Sequence, residues 1–151
     1  MKSEITIEVR RLPDAEDLPL PAYESEHASG MDLRAALNAP MTLAPGARAA
    51  VSTGLCVAIP PGFEGQVRPR SGLAIRQGLT MINAPGTIDA DYRGEIKVLL
   101  VNLGDGTVIL NRGDRIAQLI IAPVVHANWS VVSSLDDTKR GEGGFGHTGL
   151  G

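Results

Sequence analysis

Polar, charged and small residues that could do chemistry gather in five short stretches of a chain that is otherwise rich in aliphatic residues. The densest stretch spans residues 83–94 and holds Asn83, Thr87, Ile88, Asp89, Asp91 and Tyr92, with Lys97 just beyond. Two carboxylates at i and i+2 share one face of an extended segment. One can then act as a general base while the other orients or balances charge. A tyrosine beside them can stack on a ring or a sugar. The plain structural alternative is a hairpin turn with exposed acids. Residues 68–74 place Arg68 and Arg70 on either side of Pro69, followed by Ser71 and Gly72. Backbone N–H groups at the start of a helical turn can hold a phosphate, and an arginine adds a bidentate clamp. A solvated turn reads equally well here.

Three further stretches are weaker alone. Residues 28–34 surround Asp32, which reads most simply as a turn cap. Residues 112–119 begin with an Arg-Gly-Asp-Arg run that makes an ordinary surface ion pair, worth little by itself. Gln118 lies inside the apolar strand that follows. A buried amide needs partners, so it can face a polar pocket. Residues 140–149 set Arg140, Phe145, His147 and Thr148 among glycines. A disordered tail is the default for such a composition. The same residues suit a lid, whose backbone can wrap a triphosphate while Phe145 stacks on a base.

Other chemistries find no support. The glycine-rich end lacks the Gly-Lys-Ser/Thr of a Walker A loop. His27, His126 and His147 are scattered and Cys56 stands alone, which gives no zinc set. No Ser-His-Asp order can be argued from spacing.

The elements that must carry these stretches read as strands. The chain has 151 residues, enough for one domain with its own core, and aromatics are only 3%, so that core must be aliphatic. With Gly 18 and Pro 10, turns are frequent. Alternation or apolar runs predict strands over residues 4–10, 31–36, 65–69, 79–83, 95–102, 107–110, 115–122 and 128–134. A short strand lies within 39–47, and two pieces broken near Gly54 fill 48–60. Residues 71–77 carry the only helical turns, and 12–23 form an extended loop. Short strands with turn signals between them mean an all-β sandwich, jelly roll or barrel. Residues 1–137 form the β domain and 138–151 a flexible arm that cannot pack a core of its own. A net charge of −3 argues against a nucleic-acid duplex or an anionic membrane as partner. The lone cysteine fits a reducing cytoplasm, no run reaches the length of a membrane span, and the N-terminus shows no signal-peptide core.

Taken in order, ASGMDLRA (28–35), RPRSGLA (68–74), GTIDADYRGE (86–95), RGDRIAQL (112–119) and RGEGGFGHTG (140–149) resemble the five motifs of the trimeric dUTPase family across nearly the whole chain. The resemblance implies a jelly-roll-like β subunit in a homotrimer, with three sites at subunit interfaces and the arm closing over a neighbour's site. It implies Mg²⁺-dependent hydrolysis of dUTP to dUMP and pyrophosphate, which limits uracil in DNA and supplies dUMP for thymidylate synthesis. Asp89 would activate the water that attacks the α-phosphorus. Asn83 and the backbone around Thr87, Ile88 and Lys97 would read uracil, and Tyr92 would pack under the deoxyribose. Arg70, Ser71, Gly72 and Gln118 would hold phosphates, Arg140 and Thr148 the γ-phosphate, and Phe145 would cover the base. Mg²⁺ would be held mainly by substrate phosphates and water, with Asp32 in its outer shell or orienting neighbours. Two rivals remain: a dCTP deaminase of the same superfamily, and a non-catalytic nucleotide-binding trimer.

Overall fold

Alternating apolar residues from Glu95 to Asn102 form the strand around which the rest assembles. The structure, a computed structural model, describes residues 4–145. In chain order the described residues form β1 (Glu8–Arg11), a 3₁₀ turn (Pro13–Ala15), β2 (Met31–Arg34), β3 (Met41–Leu43), β4 (Arg48–Ala58), β5 (Phe63–Arg68), α1 (Ser71–Gln77), β6 (Leu79–Met81), β7 (Gly86–Ile88), β8 (Glu95–Asn102), β9 (Val108–Leu110) and β10 (Arg115–Pro123). The strands pair antiparallel in three sheets, ordered β1-β4-β8-β6, β2-β10-β5-β7 and β3-β9.

The core is aliphatic, as the low aromatic content requires. Leu33, Val51, Val67, Leu79, Ile96, Val98, Leu100 and Ile116 are essentially inaccessible. Each such side chain contributes about 1.5–3 kcal/mol by leaving water. Asn102 is the one fully buried large polar side chain among the described residues, and its amide donates to the carbonyls of Leu43 and Gly106 while its oxygen accepts from Gly104 N–H. Those bonds satisfy the group and tie β8 to the loops at its end.

Two differences from the sequence reading concern the ladder. The two pieces expected within 48–60 are a single strand, β4, with a register shift against β8 between Ser52 and Cys56. Gly54 sits in that shift with a positive φ of 70°. A side chain there would also overlap the buried Ala15, so glycine is required twice over. The strand expected over 128–134 has no partner among the described residues: Trp129 is 96% exposed and Val131 98%. Its alternation is real, but a strand without a ladder is not stable. Strand β1 is shorter than expected, and the loop after it carries the 3₁₀ turn over Pro13–Ala15.

An arginine fixes that N-terminal loop. Arg112 donates to both oxygens of Asp17, to the Leu37 carbonyl at 3.1 Å and to the Asp14 carbonyl. The hydrogen bond from Arg112 holds the Asp17 carboxyl below its ordinary value of 3.8. The contribution of this clamp is therefore complete above that value and is lost as pH falls through the lower folded one.

Candidate functional site

The stretch richest in polar groups folds into one wall of a cleft. After β6 the chain turns at the cis Ala84–Pro85 bond and enters β7, which pairs with β5 through Gly65↔Ile88, Gln66↔Thr87 and Val67↔Gly86. Strand β7 was not foreseen, because three residues beginning with glycine carry too little pattern. The chain then turns again, closed by Tyr92 N–H donating to the Asp89 carbonyl at 3.1 Å. That turn removes the premise that Asp89 and Asp91 share a face. Asp89 lines the cleft and Asp91 does not.

The cleft measures about 520 Å³ and brings together Asn83, Thr87, Ile88, Asp89, Tyr92 and Lys97, over a floor that includes Val67, Met81 and Leu99. All six expected residues of this stretch therefore meet in one place. A cleft with an apolar floor and a few polar groups at its walls is suited to a small ring-bearing ligand. Gly86 leaves room for the Asn83 side chain, whose Nδ2 would lie 3.1 Å from any Cβ at that position. Gly94 does the same for the Tyr92 phenol, which a Cβ would strike. The Tyr92 hydroxyl donates to the Glu95 carbonyl at 2.9 Å, so the ring is fixed at the cleft edge rather than free to turn. The Asp89 carboxylate is exposed and has no hydrogen-bond or ion-pair partner among the described residues, which leaves its lone pairs available to water.

A second cluster lies on the other side of β5. Strand β10 runs between β2 and β5, and Gln118 stands opposite Asp32 on one neighbour and Arg68 on the other. Asp32 is a strand residue, not a turn cap, and its side chain is only 15% exposed. One of its oxygens pairs with Arg70 Nε at 3.0 Å and the other with Arg115 Nη1 at 3.2 Å. The Gln118 amide donates to the Pro69 carbonyl at 3.0 Å, which holds the chain just before Ser71 opens α1. The glutamine packs so closely on Gly30 that a side chain there would collide with Oε1.

Two guanidiniums, those of Arg70 and Arg115, thus gather around one carboxylate. The excess of positive charge and the fork geometry of arginine suit an anion with several oxygens. Arg68 instead donates to the side-chain oxygen of Gln66. Arg115 was not among the expected site residues. Its signal was present in the Arg-Gly-Asp-Arg run, but only the pairing of β10 with β2 brings it to Asp32.

None of Asp32, Arg70, Ser71, Gly72 and Gln118 lines the cleft. Within one chain the expected site is divided into a cleft and a basic cluster. The arm is a third part. Residues 138–143 hydrogen-bond among themselves, with Arg140 Nε donating to the Gly143 carbonyl at 2.6 Å. Phe145 is fully exposed. Arg140 and Phe145 join neither the cleft nor the cluster, and Thr148 lies outside the described residues.

A family model described as dUTPase matches residues 16–149. The deoxyuridine 5'-triphosphate nucleotidohydrolase of Ehrlichia canis is 56% identical over 150 residues, covering 98% of this chain and 97% of the relative. That of Desulfotalea psychrophila is 60% identical over 137 residues, 91% of each chain. Among solved structures, the dUTPase of Staphylococcus bacteriophage 80alpha with dUPNHPP superposes with a TM-score of 0.85 at 26% identity, covering 96% of this chain and 99% of that one. The family match takes in the cleft hairpin, both arginine motifs and the glycine-rich stretch 140–149, and on that basis the chain belongs to the dUTPase family.

Proposed function

We propose that this protein hydrolyses dUTP to dUMP and pyrophosphate, and that it does so as a homotrimer whose sites are assembled from more than one copy. The observation that carries this reading is the division of the site. A cleft for a nucleoside and a basic cluster for phosphates sit apart in one chain, and residues 138–145 of the arm touch neither. Copies related by a closed symmetry axis bring one chain's cleft against a neighbour's cluster. The unpaired strand at 128–134, with Trp129 and Val131 exposed, finds its ladder on such a neighbour, and residues 138–151 then act as the arm over the adjoining site. The Staphylococcus phage relative is a dUTPase solved with dUPNHPP, which supports a nucleotide as the ligand.

In this reading uracil enters the cleft against Asn83 and the backbone of Thr87, Ile88 and Lys97. Matching donors and acceptors along one base edge rejects a mismatched base by leaving buried groups unpaired. Tyr92, held by its bond to the Glu95 carbonyl, packs under the deoxyribose. Arg70, the N–H groups at Ser71 and Gly72, and Gln118 hold the phosphates, joined by Arg140 and Thr148 from the arm. Phe145 covers the base. Asp89 takes a proton from water as its oxygen bonds to the α-phosphorus. The bond from that phosphorus to the bridging oxygen breaks, and pyrophosphate leaves with the electron pair. Such a reaction depends on positioned water and neutralised charge rather than a covalent nucleophile.

The donor set fits a metal carried by the substrate. No group of three or more His, Cys, Asp or Glu side chains gathers among the described residues, and both Asp32 oxygens already face arginines. Mg²⁺ favours phosphate oxygens and water. Bound there, it would neutralise charge on the departing pyrophosphate, with Asp32 reaching it only through water. No helix among the described residues is long and apolar enough to cross a membrane. With the free Cys56 buried and the net charge negative, we place the enzyme in the cytoplasm, away from nucleic-acid duplexes and membranes.

Subunit mixing tests the shared site. Asp89→Asn spoils the cleft and Arg70→Ala spoils the cluster, so each variant alone is nearly inactive. Refolded together in equal amounts, they should recover about a quarter of the wild-type rate, because that share of neighbouring pairs in a random ring joins an intact cleft to an intact cluster. Co-assembly without recovery would mean that each chain builds its own site. Tyr92→Ala should in addition raise kcat/KM for UTP relative to dUTP by about tenfold or more, as a ring packed on the sugar contributes roughly that much discrimination. An unchanged ratio would move the sugar filter elsewhere.

A further inference from the structure

The cleft holds one carboxylate that the reading above leaves without a role. Glu95 opens β8, lines the cleft, and has a side chain only 17% exposed. Its Oε1 accepts the Gly54 N–H at 2.9 Å. That N–H belongs to the register shift in β4, where the ladder offers it no carbonyl. The Gly54 carbonyl accepts from Leu12 N–H at 2.8 Å, and the residue is packed against Ala15, so the shift is a fixed point of the fold. The Glu95 backbone carbonyl, in turn, is the acceptor that holds the Tyr92 hydroxyl. Its Oε2 lies 3.8 Å from Lys97 Nζ, a looser contact between partly exposed groups.

We infer that Glu95 is a positioning residue for sugar selection: its carboxylate moors the hinge of the cleft to the Gly54 shift, and so fixes the carbonyl on which Tyr92 rests. The inference builds on the nucleotide reading of the cleft. The important bond is the short one to Gly54, not the ion pair with Lys97. A partly exposed pair at that distance contributes little, whereas the backbone N–H of the buried Gly54 is costly to leave without an acceptor.

The two contributions separate by substitution. Glu95→Gln keeps an acceptor of the same reach and removes the charge. Glu95→Asp keeps the charge and withdraws it from Gly54 by one methylene, and Glu95→Ala removes both. We expect Glu95→Asp and Glu95→Ala to raise KM for dUTP and to lower the preference for dUTP over UTP, each by about tenfold, with kcat changed less than about twofold. Glu95→Gln should stay within about twofold of wild type in both. Amide exchange at Gly54 should be slow in the wild type and Glu95→Gln, and fast in the other two. If Glu95→Asp behaves as wild type while Glu95→Gln is impaired, the charge on Lys97 is what matters and the inference is wrong. Sugar preference unchanged in all three variants also overturns it. A wild-type protein inert toward dUTP would remove the nucleotide reading and the selectivity role with it, while a wild-type Gly54 amide exchanging as fast as an exposed loop would remove the mooring itself.

Discussion

Replacing Asp89 with asparagine is expected to lower kcat for dUTP by about 10³-fold, close to 4 kcal/mol of lost transition-state stabilisation, with nucleotide affinity little changed. The substitution keeps the size and shape of a side chain that is exposed and has no partner among the described residues, so the fold has no reason to respond. It removes only the ability to accept a proton from water. The basic cluster stays intact, because Asp89 pairs with none of Asp32, Arg70, Arg115 or Gln118. Stopped-flow turnover beside equilibrium titration with a non-hydrolysable dUTP analogue measures both quantities. A variant that retains more than about a tenth of the wild-type rate would take the role of general base away from this residue.

Removing residues 138–151 is expected to have a comparable effect by a different route. Residues 138–145 add nothing to the aliphatic core, and the hydrogen bonds of residues 138–143 are made among themselves. The truncated protein should therefore keep its melting temperature within a few degrees, and its trimer should survive. Turnover should fall by about 10²-fold or more, since in the proposed trimer the arm would supply Arg140 and Thr148 to the γ-phosphate and close the site against water. Adding the excised segment as a free peptide should restore little, because an attached arm acts at a far higher effective concentration. Full activity in the truncated trimer would reduce the arm to an appendage.

Much of this site was legible from residue types alone. Asn83, Thr87, Ile88, Asp89, Tyr92 and Lys97 lie within fifteen consecutive positions, and a short hairpin had to bring them together. The helix at Ser71–Gln77 follows from the Ser-Gly start after a proline and the glycine that ends it, Gly78, which adopts a left-handed conformation. What was hidden depends on register. That Arg115 meets Asp32 is decided by how β10 aligns with β2, and a slip of one residue would turn its side chain to the other face. The role of Glu95 was hidden for a similar reason, because its partner is a backbone N–H forty-one positions away. The Asp89 and Asp91 pair misled, since an i, i+2 argument holds for extended chain and a tight turn begins at Asp89. The alternation at 128–134 misled as well, since no strand among the described residues pairs with it.

The division of the site also explains how one small β domain can handle a highly charged nucleotide. A cleft with an apolar floor binds a base well and three adjacent phosphates poorly. Two arginines around one carboxylate do the opposite. In the proposed trimer, symmetry would join the two environments without forcing both into one shallow sheet.

The most direct measurement offers the purified protein dUTP, dCTP, dTTP and UTP in turn with Mg²⁺, and quantifies pyrophosphate and ammonia. Pyrophosphate from dUTP, with the other three nucleotides left essentially intact and no ammonia released, is the predicted result. Ammonia from dCTP would make the protein a deaminase, and tight binding of dUTP with no product would make it a nucleotide-binding trimer; either result would contradict the account.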